Sequence, residues 1–151
     1  MVIRKFRKDD IDGIAKIIDD TELWKRYGLD YEKAKRRFNK GLSENANIFV
    51  ADIDGEITGF IWFVPKGAFD RSGYIELIGV KSDFRGQGIG RKLLEFVENH
   101  FPSVNEVFLL VSDFNLEAQR FYSNLGYKKV GEIKDYVVKG ITEFIFYKKV
   151  R

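Results

Sequence analysis

No cysteine occurs in this chain of 151 residues. That absence excludes disulfides, thiolate zinc sites, iron–sulfur clusters and a cysteine nucleophile together. A single histidine, His100, is present. Multi-histidine metal sites are thereby excluded, no metal is expected, and a histidine triad would depend on that one residue. With two prolines and no repeat, low-complexity tract or Pro/Gly/Ser-rich stretch, a domain boundary has no place to sit. One domain over residues 1–151 is expected. No apolar run is long enough to span a bilayer, and Met1-Val2-Ile3-Arg4-Lys5 lacks a signal-peptide core. The expected compartment is therefore the cytoplasm, with no membrane partner. Charge of one sign is scarce as well. Lys plus Arg number 26 against 23 Asp plus Glu, a net of +3, too even for a nucleic-acid binder.

What is present suffices for a core: 44% of residues are apolar and 15% aromatic. Abundant Lys, Glu and Ile without Cys give a thermophile-like composition. Val2 to Phe6 alternates as a half-buried strand does. Asp9 or Asp10 can cap a helix carrying Ile11, Ile14 and Ile18 on one stripe, and Asp30 a second with Ala34, Phe38 and Leu42. Ile48 to Ile53 and Glu56 to Val64 read as a hairpin joined by Asp54-Gly55. Pro65 to Gly73 reads as a loop. Tyr74 to Val80 is nearly all apolar, the pattern of a central strand covered on both faces. A helix from Ile89 to Phe101, a strand from Val107 to Val111 and a helix from Asn115 to Leu125 follow. Strands at Tyr127 to Val130 and Ile141 to Val150 complete a mixed, three-layer α/β arrangement with one parallel crossover.

Arg85-Gly86-Gln87-Gly88-Ile89-Gly90 lies between an apolar strand and an amphipathic helix. Alternating glycines let the backbone approach a ligand closely. The amides from Gly86 to Arg91 then converge at a helix start, where orphan donors and the macrodipole favour an anion such as a pyrophosphate. Arg85 and Arg91 add positive charge nearby. A dinucleotide fingerprint fails because its third glycine position holds Arg91, and a Walker A loop fails at Arg91-Lys92-Leu93. The plain alternative is a glycine-rich turn that caps a helix.

The loop resembles the Arg/Gln-x-x-Gly-x-Gly/Ala motif of the GNAT N-acetyltransferase superfamily, with Arg85, Gly88 and Gly90 at the matching places. Asn115, Ala118, Phe121, Tyr122, Gly126 and Tyr127 are similar to its second motif. The two motifs and the order of elements together cover essentially the whole chain. The resemblance implies a three-layer α/β/α fold whose mixed, mostly antiparallel sheet is splayed at its fourth and fifth strands. It implies acetyl-CoA as acyl donor, with the backbone of Ile78, Gly79 and Val80 along the pantetheine and Arg85, Gly86, Gln87, Gly88, Ile89, Gly90 and Arg91 around the pyrophosphate. Asn115 and Tyr122 would also contact the cofactor, Tyr122 near the sulfur as a proton donor to the leaving thiolate. Asn115 also reads as a helix cap, and Phe121-Tyr122 as core filling, a reading that suits Phe121 and not Tyr122.

Glu76 is the only charge between Tyr74 and Val80 and shares a face with Ile78 and Val80. Burial there would make it a base for the ammonium nucleophile; the alternative is a structural pair with a Lys or Arg. His100 reads as a solvated residue near a helix end, and Lys33, Lys35, Arg36, Arg37 and Lys40 as the wet face of a helix. For the acceptor end the resemblance implies Trp24, Tyr27, Tyr31, Phe69, Asp135 and Tyr136, with Asp19, Asp20 and Glu22 nearby. The function implied is transfer of an acetyl group to an amine by direct attack in a ternary complex. The alternative is a non-catalytic acyl-CoA sensor of the same fold. A homodimer through the terminal strands is permitted.

Overall fold

A computed structural model describes residues 1–151. Its strands form one sheet in the order β1-β2-β3-β4-β5-β7-β6. These are β1 (Val2–Lys5), β2 (Asn47–Ile53), β3 (Glu56–Ala68), β4 (Ser72–Val80), β5 (Glu106–Ser112), β6 (Lys128–Lys134) and β7 (Thr142–Lys149). The helices are α1 (Ile11–Asp19), α2 (Glu22–Arg26), α3 (Tyr31–Ser43), α4 (Ile89–His100) and α5 (Leu116–Asn124). Pairing is antiparallel for β1–β2, β2–β3, β5–β7 and β6–β7 and parallel for β4–β5, so the mixed, mostly antiparallel sheet expected from sequence is present.

Two compact units make up the chain: Met1–Phe63 with Glu76–His100, and Val64–Ile75 with Phe101–Arg151. In the first, the apolar stripes of α1 and α3 meet the sheet as their spacing predicts. Ile14, Ile18, Ala34 and Phe38 are fully buried with Ile48, Val50 and Phe60. Each large member contributes roughly 1.5–3 kcal/mol by leaving water. Asp30 caps α3 as expected, accepting a hydrogen bond from the Lys33 amide at 2.9 Å. Asp10 does not cap α1 with its side chain. Its carboxylate instead accepts from the Arg7 amide at 2.7 Å and from both terminal nitrogens of Arg4.

The expected loop from Pro65 to Gly73 is instead the tip of a long hairpin, with β3 running to Ala68 and β4 starting at Ser72. Phe69 and Asp70 both take positive φ, +59° and +52°. That is the geometry of a two-residue hairpin turn, without the Asn-Gly signal that usually announces one. Pro65 is tolerated because the β2–β3 register reaches only Phe63, so no β2 residue needs its missing N–H. β4 also departs from expectation. Its register with β5 comprises Gly73, Tyr74 and Ile75 against Val107, Phe108 and Leu109. Past that point Glu76 to Val80 are half-buried rather than covered on both faces.

In the second unit Val107, Leu109, Val111, Tyr122, Tyr127 and Phe146 are buried. The Tyr122 ring lies 5.8 Å from Tyr127 and 6.3 Å from Phe146, centre to centre. No helix of the chain is long and apolar enough to cross a membrane.

Candidate active site

The Lys81 amide donates to the Thr58 carbonyl at 2.8 Å, which fixes which way the end of β4 faces. Main-chain groups alternate edges along a strand, so those of Gly79 turn toward β3 and those of Ile78 and Val80 turn to the opposite edge. Ile78 and Val80 therefore offer main-chain donors and acceptors on that edge. Gly79 has a packing explanation: a Cβ there would lie 2.6 Å from Trp24 and 2.7 Å from Phe60.

After β4 the chain makes a 3-10 turn, Ser82–Phe84, and reaches an extended Arg85 whose Nε lies 3.5 Å from the Val80 carbonyl oxygen. Gly86 and Gly88 take φ +77° and +82°, and a Cβ at either would meet nothing within 4 Å. These two glycines are thus required by conformation, not by crowding, and open space adjoins them. The Lys92 amide donates to the Gly88 carbonyl at 3.0 Å, opening α4. The amides of Gly88, Ile89, Gly90 and Arg91 consequently have no acceptor within the helix. Ile89 is buried and pins this end of α4, whereas Arg85, Gln87 and Arg91 are exposed. Gly90, already in the first helical turn, is not at positive φ. An open cradle of amides at a helix start, flanked by Arg85 and Arg91, fits a pyrophosphate.

Glu76 has the partner that the structural alternative anticipated. Its Oε1 lies 3.0 Å from Arg37 Nη2, and the two side chains keep 33% and 39% exposure. The premise of a buried, unpaired carboxylate is therefore not met. Arg37 departs from the wet face assigned to it, since it borders the buried stripe three residues after Ala34. That offset was the available signal. Its guanidinium also lies over Trp62, 5.7 Å from the ring centre.

In the second unit Asn115 Oδ1 accepts from the Ala118 amide at 3.1 Å, so it caps α5; the cap does not involve the nitrogen end of its amide. Tyr122 is 7% exposed while Phe121 is half-buried, the reverse of the expected allotment of core filling. Burial pushes the Tyr122 hydroxyl well above the usual phenol range. The hydroxyl accordingly stays protonated at neutral pH and is able to donate.

The remaining candidates separate by role. Trp24 is buried against Phe60, 5.9 Å between ring centres, and belongs to the core. The Tyr31 hydroxyl donates to Asp12, and Asp19 accepts from the Tyr31 amide. Ser82 donates to Asp20 at 3.2 Å. Phe69 is 83% exposed at its hairpin tip, and Tyr136 is exposed in the β6–β7 connection, where Asp135 accepts from the Gly140 amide. His100 is exposed at the end of α4, as expected, and stacks on Phe96. No group of three His, Asp or Glu is placed to hold a metal ion.

The model of the acetyltransferase (GNAT) family matches residues 12–127. An uncharacterized N-acetyltransferase of Methanocaldococcus jannaschii is 31% identical, over 99% of this chain and 92% of that protein. An N-alpha-acetyltransferase of Sulfurisphaera tokodaii is 30% identical, over 91% of this chain and 86% of that protein. Among solved structures, a Streptococcus mutans protein superposes over the whole of both chains with a TM-score of 0.86 at 23% identity. An aminoglycoside 6′-N-acetyltransferase solved with coenzyme A gives 0.81 at 16% identity, over 100% of this chain and 98% of that one. At those identities the likeness shows the fold alone. The non-catalytic alternative gains no support from any of these relatives. Two sequence motifs, the glycine cradle at the start of α4 and the family match converge: the chain belongs to the GNAT family of acetyltransferases.

Proposed function

We propose that the chain, a single acetyltransferase domain over residues 1–151, moves an acetyl group from acetyl-CoA to an amine by direct attack in a ternary complex. The observation that carries this reading is the cradle: Gly86 and Gly88 at positive φ, open surroundings and a helix start with unused amides. Bound acetyl-CoA supplies a thioester whose C–S bond breaks as the N–C bond of the product amide forms. The amides of Gly88 to Arg91, with Arg85 and Arg91, hold the pyrophosphate. Main-chain groups of Ile78 and Val80 pair with the pantetheine as an added strand would. Asn115 adds a contact beyond its cap.

Tyr122 donates a hydrogen bond to the departing sulfur, a role suited to a hydroxyl that burial keeps protonated. Glu76 receives a proton from the amine. The chain has no Cys to carry the acetyl group, which favours the direct route.

The test is release of CoA, followed with a thiol reagent over a panel of amines. A protein without Cys adds no thiol background. Peptide N-termini belong in the panel because one relative is named an N-alpha-acetyltransferase, together with lysine peptides, polyamines, aminoglycosides and free amino acids. Amine-dependent release that Gly88→Glu abolishes supports the reading. Unchanged acetyl-CoA affinity in Gly88→Glu, measured by calorimetry, would sink it.

A further inference from the structure

Glu76 and Arg37 form a pair of opposite charges in the first unit, 3.0 Å apart. An ion pair this exposed adds little to folding, so stability does not account for its placement. Trp62 lies under the guanidinium and is itself held against Phe38, ring centres 5.2 Å apart. A cation–π contact of this kind holds a guanidinium in place without consuming its N–H donors. The contact between Nη2 and Oε1 engages one donor of five on Arg37 and one oxygen of two on Glu76. Neither group is saturated by its partner.

We propose that this pair receives a zwitterion and that the acceptor is an α-amino acid, its carboxylate held by Arg37 and its ammonium by Glu76. The inference rests on the acetyltransfer reading above. Charge argues for it. A lone Glu76 would favour any cation, and a polyamine most of all. Arg37 beside it cancels that field, so a second positive charge gains nothing there. An α-amino acid carries its ammonium and carboxylate one carbon apart and satisfies both halves of the pair at once. A simple amine or an amino-acid amide satisfies only one, leaving Arg37 without its ligand. In the reaction the α-nitrogen bonds the acetyl carbon as the thioester C–S bond breaks. The α-ammonium gives one proton to Glu76 before the nitrogen attacks, and the second, shed as the amide forms, goes to the departing sulfur, which leaves as the CoA thiol.

The test compares L-methionine, L-phenylalanine and L-glutamate with their α-carboxamides, and with spermidine, by kcat/KM in the thiol assay. Wild type should prefer each acid over its amide by about 10- to 150-fold, the range for a hydrogen bond to a charged group. Arg37→Gln should bring that ratio close to one. Because the ratio is taken within one preparation, partial unfolding of the variant cancels. Acids and amides used equally by wild type, or a ratio that survives Arg37→Gln, would overturn the proposal. So would equal losses for both in the variant, which is what a residue that only positions Glu76 would give. Calorimetry with acetyl-CoA separates the two levels. Binding without turnover of any amino acid, or turnover of spermidine alone, overturns the zwitterion site; no binding overturns the acetyltransfer reading itself.

Discussion

Gly88→Ala and Gly79→Ala should have opposite consequences, although each adds one methyl group. At Gly88 the new Cβ would meet nothing within 4 Å, so its folding cost comes from holding an L residue at φ +82°. That strain is about 1–2 kcal/mol, which for a domain of this size lowers Tm by about 2–8 °C. The same change tilts the amides of the cradle. Loss of one charge-assisted hydrogen bond to a phosphate, about 1.5–3 kcal/mol, weakens CoA binding about 10- to 150-fold. At Gly79 the Cβ would lie 2.6 Å from Trp24 and 2.7 Å from Phe60, both buried. Overpacking of that kind costs about 1–3 kcal/mol. The main-chain groups of Gly79 turn toward β3, however, so CoA affinity should stay within about twofold, less than one tenfold step of 1.4 kcal/mol. Calorimetric titration with CoA and a thermal melt on each variant read out the two quantities. Both variants losing Tm with CoA affinity untouched would refute the cradle and leave Gly88 a turn residue only.

Tyr122→Phe should lower kcat by about 10²-fold, the lower end for a lost proton donor, with little change in acetyl-CoA affinity; equal activity would remove the donor role. The same variant tests linkage. Burial raises the Tyr122 hydroxyl above its unfolded value of 10.0, so its stabilisation is complete below about pH 10 and is lost as pH rises beyond it. Denaturation followed from about pH 9 to 11 should show wild type losing stability more steeply than Tyr122→Phe. Asp10 predicts the opposite limb. Burial pushes its carboxyl up, but hydrogen bonds from Arg4 and from the Arg7 amide outweigh that and leave it below 3.8. Its contribution is present above that value and lost as pH falls through the folded pKa. Asp10→Asn should therefore flatten the acid limb and cost about 1–3 kcal/mol, read by urea melts at acid and neutral pH. Glu76→Gln should depress kcat at neutral pH while CoA titrates as in wild type; an unchanged rate would leave water as the base.

The cradle was legible in sequence because its glycines answer to a backbone requirement that no other residue meets cheaply. Gly86 and Gly88 stand at positive φ in open space, which is what alternating glycines before a helix signal. The hairpin at Phe69–Asp70 was not legible for the converse reason. Two residues with side chains take the left-handed region there, and Pro65 masks the strand that precedes them. The five residues of α2 are too few to show a helical period. Phe121 and Tyr122 could not be allotted by composition, since adjacent helical positions differ only by about 100° of rotation.

Arg37 shows why charge patterning reads an interior-facing cation poorly. Lys33, Arg36 and Lys40 are exposed, whereas Lys35 and Arg37 are half-buried, each three residues from a buried member of the stripe, and Arg37 alone of the two lies beside β4. One step of helical phase separates an ordinary surface arginine from one that lies over Trp62 and pairs with the single charge of β4. In the zwitterion proposal the same step changes what Glu76 can select. Unpaired, it would attract cations in general; beside Arg37 it presents a neutral pair matched to a neutral, two-headed ligand. On that proposal acceptor choice hangs on a contact between a helix and a strand that neither segment announces in its own sequence.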